Sequence, residues 1–160
     1  MLPKYHILVG GIASILLYLL VHISFIEASI VFLVSVLIDV DHYFLYVFRT
    51  KDVSFNRARE YFYQRRNFLM LLTPHERKKY KKAIFLFHGI ECWAIIAIVS
   101  YFYPIVLFVL VGIAIHIPLD YIDLFMIGDP FYGKFSQIYI FISNKKKESL
   151  IIKEKTSEYH

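Results

Sequence analysis

The stretch ASIVFLVSVLIDVDHYFLYVF, Ala28–Phe48, decides how this chain is read. It is long enough to cross a hydrocarbon core, which takes ~20 residues of helix. Yet Asp39, Asp41 and His42 stand near its end. Ionisable groups at membrane depth cost of order ~2.5–3.5 kcal/mol each on insertion scales, so they mark function. Aspartate and histidine are ligands for hard and borderline metal ions. The stretch reads as a membrane helix that carries part of a metal site.

Three more runs share this pattern: Tyr5–Ile26, Ala83–Tyr103 and Pro104–Ile127. The first holds His6, the second His88 and Glu91, the third His116, Asp120 and Asp123. Only Lys4 precedes the first run as a basic residue, and no small-residue cleavage site follows, so it is expected to be a retained helix, not a signal peptide. Apolar residues make up 58% of the 160, above the roughly 45–50% of soluble domains. A single cysteine, Cys92, excludes an intramolecular disulfide framework and a CxxC zinc motif.

The net charge of +5 is segregated. Every Lys and Arg lies at the N-terminus, in the loop 49–82 or in the tail 128–160, where Lys134, Lys145, Lys146, Lys147, Lys153 and Lys155 fall. With four spans these segments share one side, and the positive-inside rule makes it the cytoplasm. Both termini are therefore expected there, with anionic lipid headgroups rather than nucleic acid as the partner of the basic surface. Loop 49–82 mixes its basic residues with Tyr61-Phe62-Tyr63 and Phe68–Leu72, as interfacial helices do. Phe135–Ile142 in the tail is too short to span and is expected to be interfacial too. The expected fold is all-α: residues 1–160 form one integral membrane four-helix bundle with interfacial helices in the loop and tail.

On this topology the buried acids and histidines share a layer. At ~1.5 Å rise per residue most of them fall roughly 5–15 Å inside the cytoplasmic boundary. His116, Asp120 and Asp123 follow i, i+4, i+7 on one helix face, and His88 and Glu91 are an i, i+3 pair. Asp39 and His42 share a face, whereas Asp41 lies nearly opposite. Asp41 thus serves a second metal, orients ligands, or requires a local helix distortion. An ion-pair network is disfavoured because these runs contain almost no Lys or Arg, and a divalent cation supplies the missing charge. His22 lies near the far side, and His75 and His160 stand in polar segments, away from the layer.

At these residues the chain resembles the YdjM-like family of membrane-bound metal-dependent hydrolases. The matching motifs are Pro3-Lys4-Tyr5-His6, Asp39-Val40-Asp41-His42, Phe87-His88-Gly89 and His116-Ile117-Pro118-Leu119-Asp120. Where the family often has an earlier histidine and a serine around His88, this chain has Ala83 and Gly89. The family's ligand pattern is itself similar to that of zinc-dependent phospholipase C, which by analogy implies phosphoester hydrolysis.

Residues and resemblance together lead to the expectation of a membrane-embedded hydrolase with one or two divalent ions, zinc first and manganese second. Its expected ligands are His6, Asp39, His42, His88, His116 and Asp120, with Asp41 bridging or orienting. Glu91 or Asp123 is the expected general base. A site under the headgroups suits a lipid-like or other amphiphilic substrate, with Arg49, Lys51 and Arg77 attracting its anionic head. The alternative is a non-catalytic metal-binding or metal-transporting membrane protein. A di-iron oxidase fits less well, since no His-x-x-His or His-x-x-x-His pair lies within the runs.

Overall fold

The structure is a computed structural model and describes residues 3–126, 128 and 135–147. Ile127, Lys134, Lys153, Lys155 and His160 lie outside the described residues. Among the described residues the chain is helical and has no strand. Its helices are α1 (Pro3–Leu20), α2 (Phe25–Leu37), α3 (Val40–Thr50), α4 (Phe55–Leu71), α5 (Pro74–Arg77), α6 (Ile90–Phe102), α7 (Leu107–Met126) and α8 (Gln137–Asn144). Two segments are long and apolar enough to cross a membrane, Phe25–Thr50 (α2 with α3) and Pro104–Met126, while Lys4–Leu20 and Ile90–Phe102 are shorter apolar helices.

α2 is the central element, packed against both α1 and α7, which also touch each other, with α6 against α7. Two glycines permit this closeness. A Cβ on Gly10 of α1 would collide with the Ser35 hydroxyl, and one on Gly112 of α7 would stand 2.9 Å from the Val31 carbonyl oxygen. Small residues let apolar helices approach backbone to backbone. Below this contact Ile38, Ile113 and Ile117 form the apolar core, joined by Val34, Trp93 and Ile96.

Element boundaries differ from the expected runs for local chemical reasons. The first helix ends at Leu20, not Ile26, because Ser24 and Glu27 form a capping box that opens α2 at Phe25. The expected helix Ala28–Phe48 breaks at Ile38-Asp39, between α2 and α3. The expected helix Ala83–Tyr103 begins only at Ile90; before it, Leu86–His88 form a 3-10 turn. The backbone leading into that turn is held by α8. Asn144 and Lys82 exchange two hydrogen bonds, and Phe85 N–H donates to Gln137 Oε1 at 2.9 Å. Side-chain amides thus replace the helical hydrogen bonds this segment forgoes. Gln137, Ile140 and Asn144 are buried, so α8 is a docked helix with one face committed to the protein.

The loop 49–82 contains α4 and the single turn α5. α4 folds back on α3 through Lys51, which is left-handed at φ 60°. Asp52 fixes this corner: it accepts hydrogen bonds from the Tyr46 hydroxyl, from Ser54 N–H and from Arg57. Aromatic contacts of Tyr46 with Tyr61 and of His42 with Phe62 join the two helices.

Candidate metal centre

His6 near the start of α1, Asp39 after α2, His88 before α6, and His116 and Asp120 in the second half of α7 meet at one end of the packed helices. His6, His88, His116 and Asp120 are each at most 2% exposed. Each histidine directs Nε2 at the two carboxylates. For His88 the distances are 3.3 Å to Asp39 Oδ1 and 3.3 Å to Asp120 Oδ2; for His116 they are 3.5 and 3.6 Å. His6 Nε2 lies 3.6 Å from Asp120 Oδ1 and 3.9 Å from Asp39 Oδ2. These separations are long for hydrogen bonds. Those of His88 and His116 suit neighbouring donors on one cation, since bonds of ~2.0–2.2 Å in a tetrahedron give edges of ~3.3–3.6 Å, while His6 stands slightly farther out from Asp39.

Hydrogen bonds on the far side of each ring fix which nitrogen is free. His116 Nδ1 stands 2.8 Å from the Ser35 carbonyl oxygen, which can only accept, so Nδ1 carries the proton. His88 Nδ1 donates to Asp41 Oδ2 at 3.0 Å. In both rings Nε2 is then the nitrogen that faces the carboxylates, buried and without a hydrogen-bond partner. Metal-binding histidines carry this arrangement, the second nitrogen held by a carboxylate or carbonyl. His6 stacks on His116, with ring centroids 4.0 Å apart, and both its nitrogens are buried without partners.

The break between α2 and α3 builds this geometry. A helix leaves its last carbonyls without intrahelical donors, and His116 takes the one at Ser35. The break also swings Asp39 and Asp41 around His88, one at each ring nitrogen. On a continuous helix they would have pointed apart. Within α7, Pro118 lies between His116 and Asp120, a position that a helix tolerates where neighbours meet the freed backbone group.

Asp39, His88, His116 and Asp120 therefore form a group that could hold a metal ion. Asp41, His42 and His88 form a second group. It shares His88 with the first, and its close contacts are hydrogen bonds: His42 Nδ1 to Asp41 Oδ1 at 2.9 Å, and Phe87 N–H to Asp41 Oδ2 at 3.3 Å. Asp41 thus touches both His88 and His42, and His42 Nδ1 also lies 3.3 Å from Asp39 Oδ1. His42 is stacked on Phe85 at 3.8 Å and is a quarter exposed, like Asp39.

Neither expected general base lies in the cluster. Gly89 separates His88 from α6, so helical phase does not link His88 to Glu91. The Glu91 carboxylate instead accepts from the Ser136 hydroxyl and from the N–H groups of Gln137 and Ile138, anchoring the start of α8. Asp123 pairs with Arg66 of α4 at 2.8 Å. His22 and His75 are exposed and away from the cluster. Sequence reading missed Ser35 and Gln137. Ser35 sits one turn before Asp39, and Gln137 and Asn144 stand seven residues apart on one face of an apolar segment.

No family model, no curated protein and no solved structure matches this chain.

Proposed function

We propose that this chain is a four-helix integral membrane protein with its metal centre near the cytoplasmic face, and that it hydrolyses an amphiphilic phosphoester. The observation that carries the reading is the pair of histidines, His88 and His116, each held through Nδ1 while its buried Nε2 faces two carboxylates. The membrane reading is supported by the apolar side chains left outward on α1 and α6, such as Ile7, Leu8, Ile15, Leu19, Ile95 and Ile98, each at least half exposed. Segregation of Lys and Arg into alternate segments supports the orientation. The motifs shared with the YdjM-like hydrolases support the reaction class.

His6, His88, His116, Asp39 and Asp120 would hold a divalent ion, zinc first and manganese second. Bound there, the ion supplies a nucleophilic water at neutral pH and offsets charge on the attacked group. The protein's part is orientation: Ser35 and Asp41 lock two rings, and the apolar core keeps bulk water off the inner ligands. Ligands gathered at one end of the helices favour a site over a transport path.

The test is elemental analysis of detergent-purified protein, followed by hydrolysis assays on phosphatidate and phosphodiester lipids with zinc and manganese each supplied. Bound metal with turnover of one such lipid is the expected result. Metal-loaded protein inert on the whole panel would replace this reading with that of a metal-binding or metal-transporting membrane protein.

A further inference from the structure

Arg65 is only 7% exposed, yet its guanidinium is only partly satisfied by the protein, through Lys81 and the Tyr61 side chain. Nη2 donates to the Lys81 carbonyl oxygen at 2.9 Å, while Nη1 is buried without a hydrogen-bond partner. Buried arginines are normally paired with a carboxylate. Among the described residues Arg65 forms no ion pair. Burial holds its guanidinium below the ordinary arginine range; Tyr61 on the same helix favours the charge and Arg49, itself a cation, opposes it. Arg49 is exposed at the end of α3 and likewise has no ion pair among the described residues.

This corner is linked to the candidate metal centre through the aromatic contacts of His42. Arg65 lies one turn past Phe62, whose ring stands edge-on to His42 at 5.5 Å. Its hydrogen bond to Lys81 ties it to the segment that runs on to Phe85, stacked on the other side of His42, and then to His88. Two cations thus stand close together at the corner of α3 and α4, with no ion pair to a carboxylate among the described residues. A guanidinium presents a planar fork of donors that matches phosphate oxygens.

We propose that Arg65, with Arg49 at the rim, binds the phosphate group of the ligand that reaches the metal centre. The inference rests on the phosphoester reading for its orientation toward the metal, but its test reads binding, not turnover. Metal-loaded full-length protein is titrated with inorganic phosphate in detergent, and separately placed in nanodiscs of phosphatidate or of phosphatidylcholine, with thermal stability as readout. Wild type should be stabilised by at least one phosphate monoester source, and R65Q should bind it roughly tenfold more weakly or worse. R65K, which keeps a buried cation but loses the fork, should fall between them and serves if R65Q does not fold. A shift with phosphatidate beyond that with inorganic phosphate identifies a lipid headgroup; the reverse identifies a soluble phosphoester. No stabilisation of wild type by either source, or equal affinity in wild type and both variants, overturns the proposal. Arg65-dependent phosphate binding without any turnover upholds it and sinks the hydrolase reading alone.

Discussion

The Nδ1 of His116 donates to the carbonyl oxygen of Ser35 at 2.8 Å, and this one bond couples the packing of three helices to the candidate metal centre. Ser35 is 1% exposed and lies where a side chain on Gly10 would have to go. G10A should therefore displace Ser35 and turn the His116 ring, although residue 10 contributes no ligand. Loss of an orienting partner typically weakens metal binding about 10–100-fold. G11A is the control, because a Cβ there would meet only Phe32 at an ordinary 3.7 Å. Equal metal affinity in the two variants would show that Ser35 does not position His116.

Much of the candidate site was legible because charged residues in apolar runs are rare and costly. His6, Asp39, His88, His116 and Asp120 all meet, and Asp41 touches His88 at its other ring nitrogen. The errors share a cause, which is that helical phase was carried through breaks. Gly89 starts a new helix, so Glu91 faces α8; Asp123 is near the layer but is claimed by Arg66 on a segment whose path the sequence does not state. Capping boxes such as Ser24-Phe25-Ile26-Glu27 are readable signals. A carbonyl freed by a helix break is not, since only the folded partner reveals its use.

Removing a ligand should remove the metal. H116A or D120A leaves the remaining carboxylate and imidazoles without a complete donor set, so bound metal should be lost and thermal stability should fall. H22A and H75A, exposed and distant, should retain wild-type metal content. Elemental analysis decides, and equal loss in all four variants would mean surface binding or general misfolding.

Two acidic residues, Asp41 at the His88 ring and Glu91 three positions after His88, should behave differently. D41N keeps the shape at His88 but alters the acceptor that holds its Nδ1 proton, so metal affinity should drop about 10–100-fold. E91Q should retain metal and lose stability by about 1 kcal/mol, since its carboxylate holds α8 through three donors. Metal titration and thermal melts of both variants separate the roles. Metal loss in E91Q with an unchanged melt would return Glu91 to the site.

Acid should loosen the corner between α3 and α4. The Tyr46 hydroxyl, followed by the Ser54 N–H and Arg57, holds the Asp52 carboxyl below the usual carboxylate range. A folded value below the unfolded one contributes stability that is complete above the unfolded value, about 3.9, and is lost as pH falls through the folded value. Melts of wild type should therefore fall on acidification below about pH 4, and D52N, already lower at neutral pH, should fall less. Identical acid slopes would show that Asp52 is not linked to folding.

Topology determines which compartment the metal centre serves. Lys79 lies in the basic loop between α5 and α6, and Glu27 caps α2 at the opposite end of the helices from His88 and Asp120. Positive-inside orientation requires a cytoplasmic reporter to be active at Lys79 and after His160, and inactive beside Glu27. His88 is separated from that loop by only a short extended segment, so its side of the membrane follows that of Lys79. An inactive reporter at Lys79 would turn the cluster outward, toward substrates and metals of the other compartment. Activity at both Lys79 and Glu27 would instead mean that α2 with α3 does not span at all. The exposed apolar faces of α1 and α6 would then have to be covered by another protein chain.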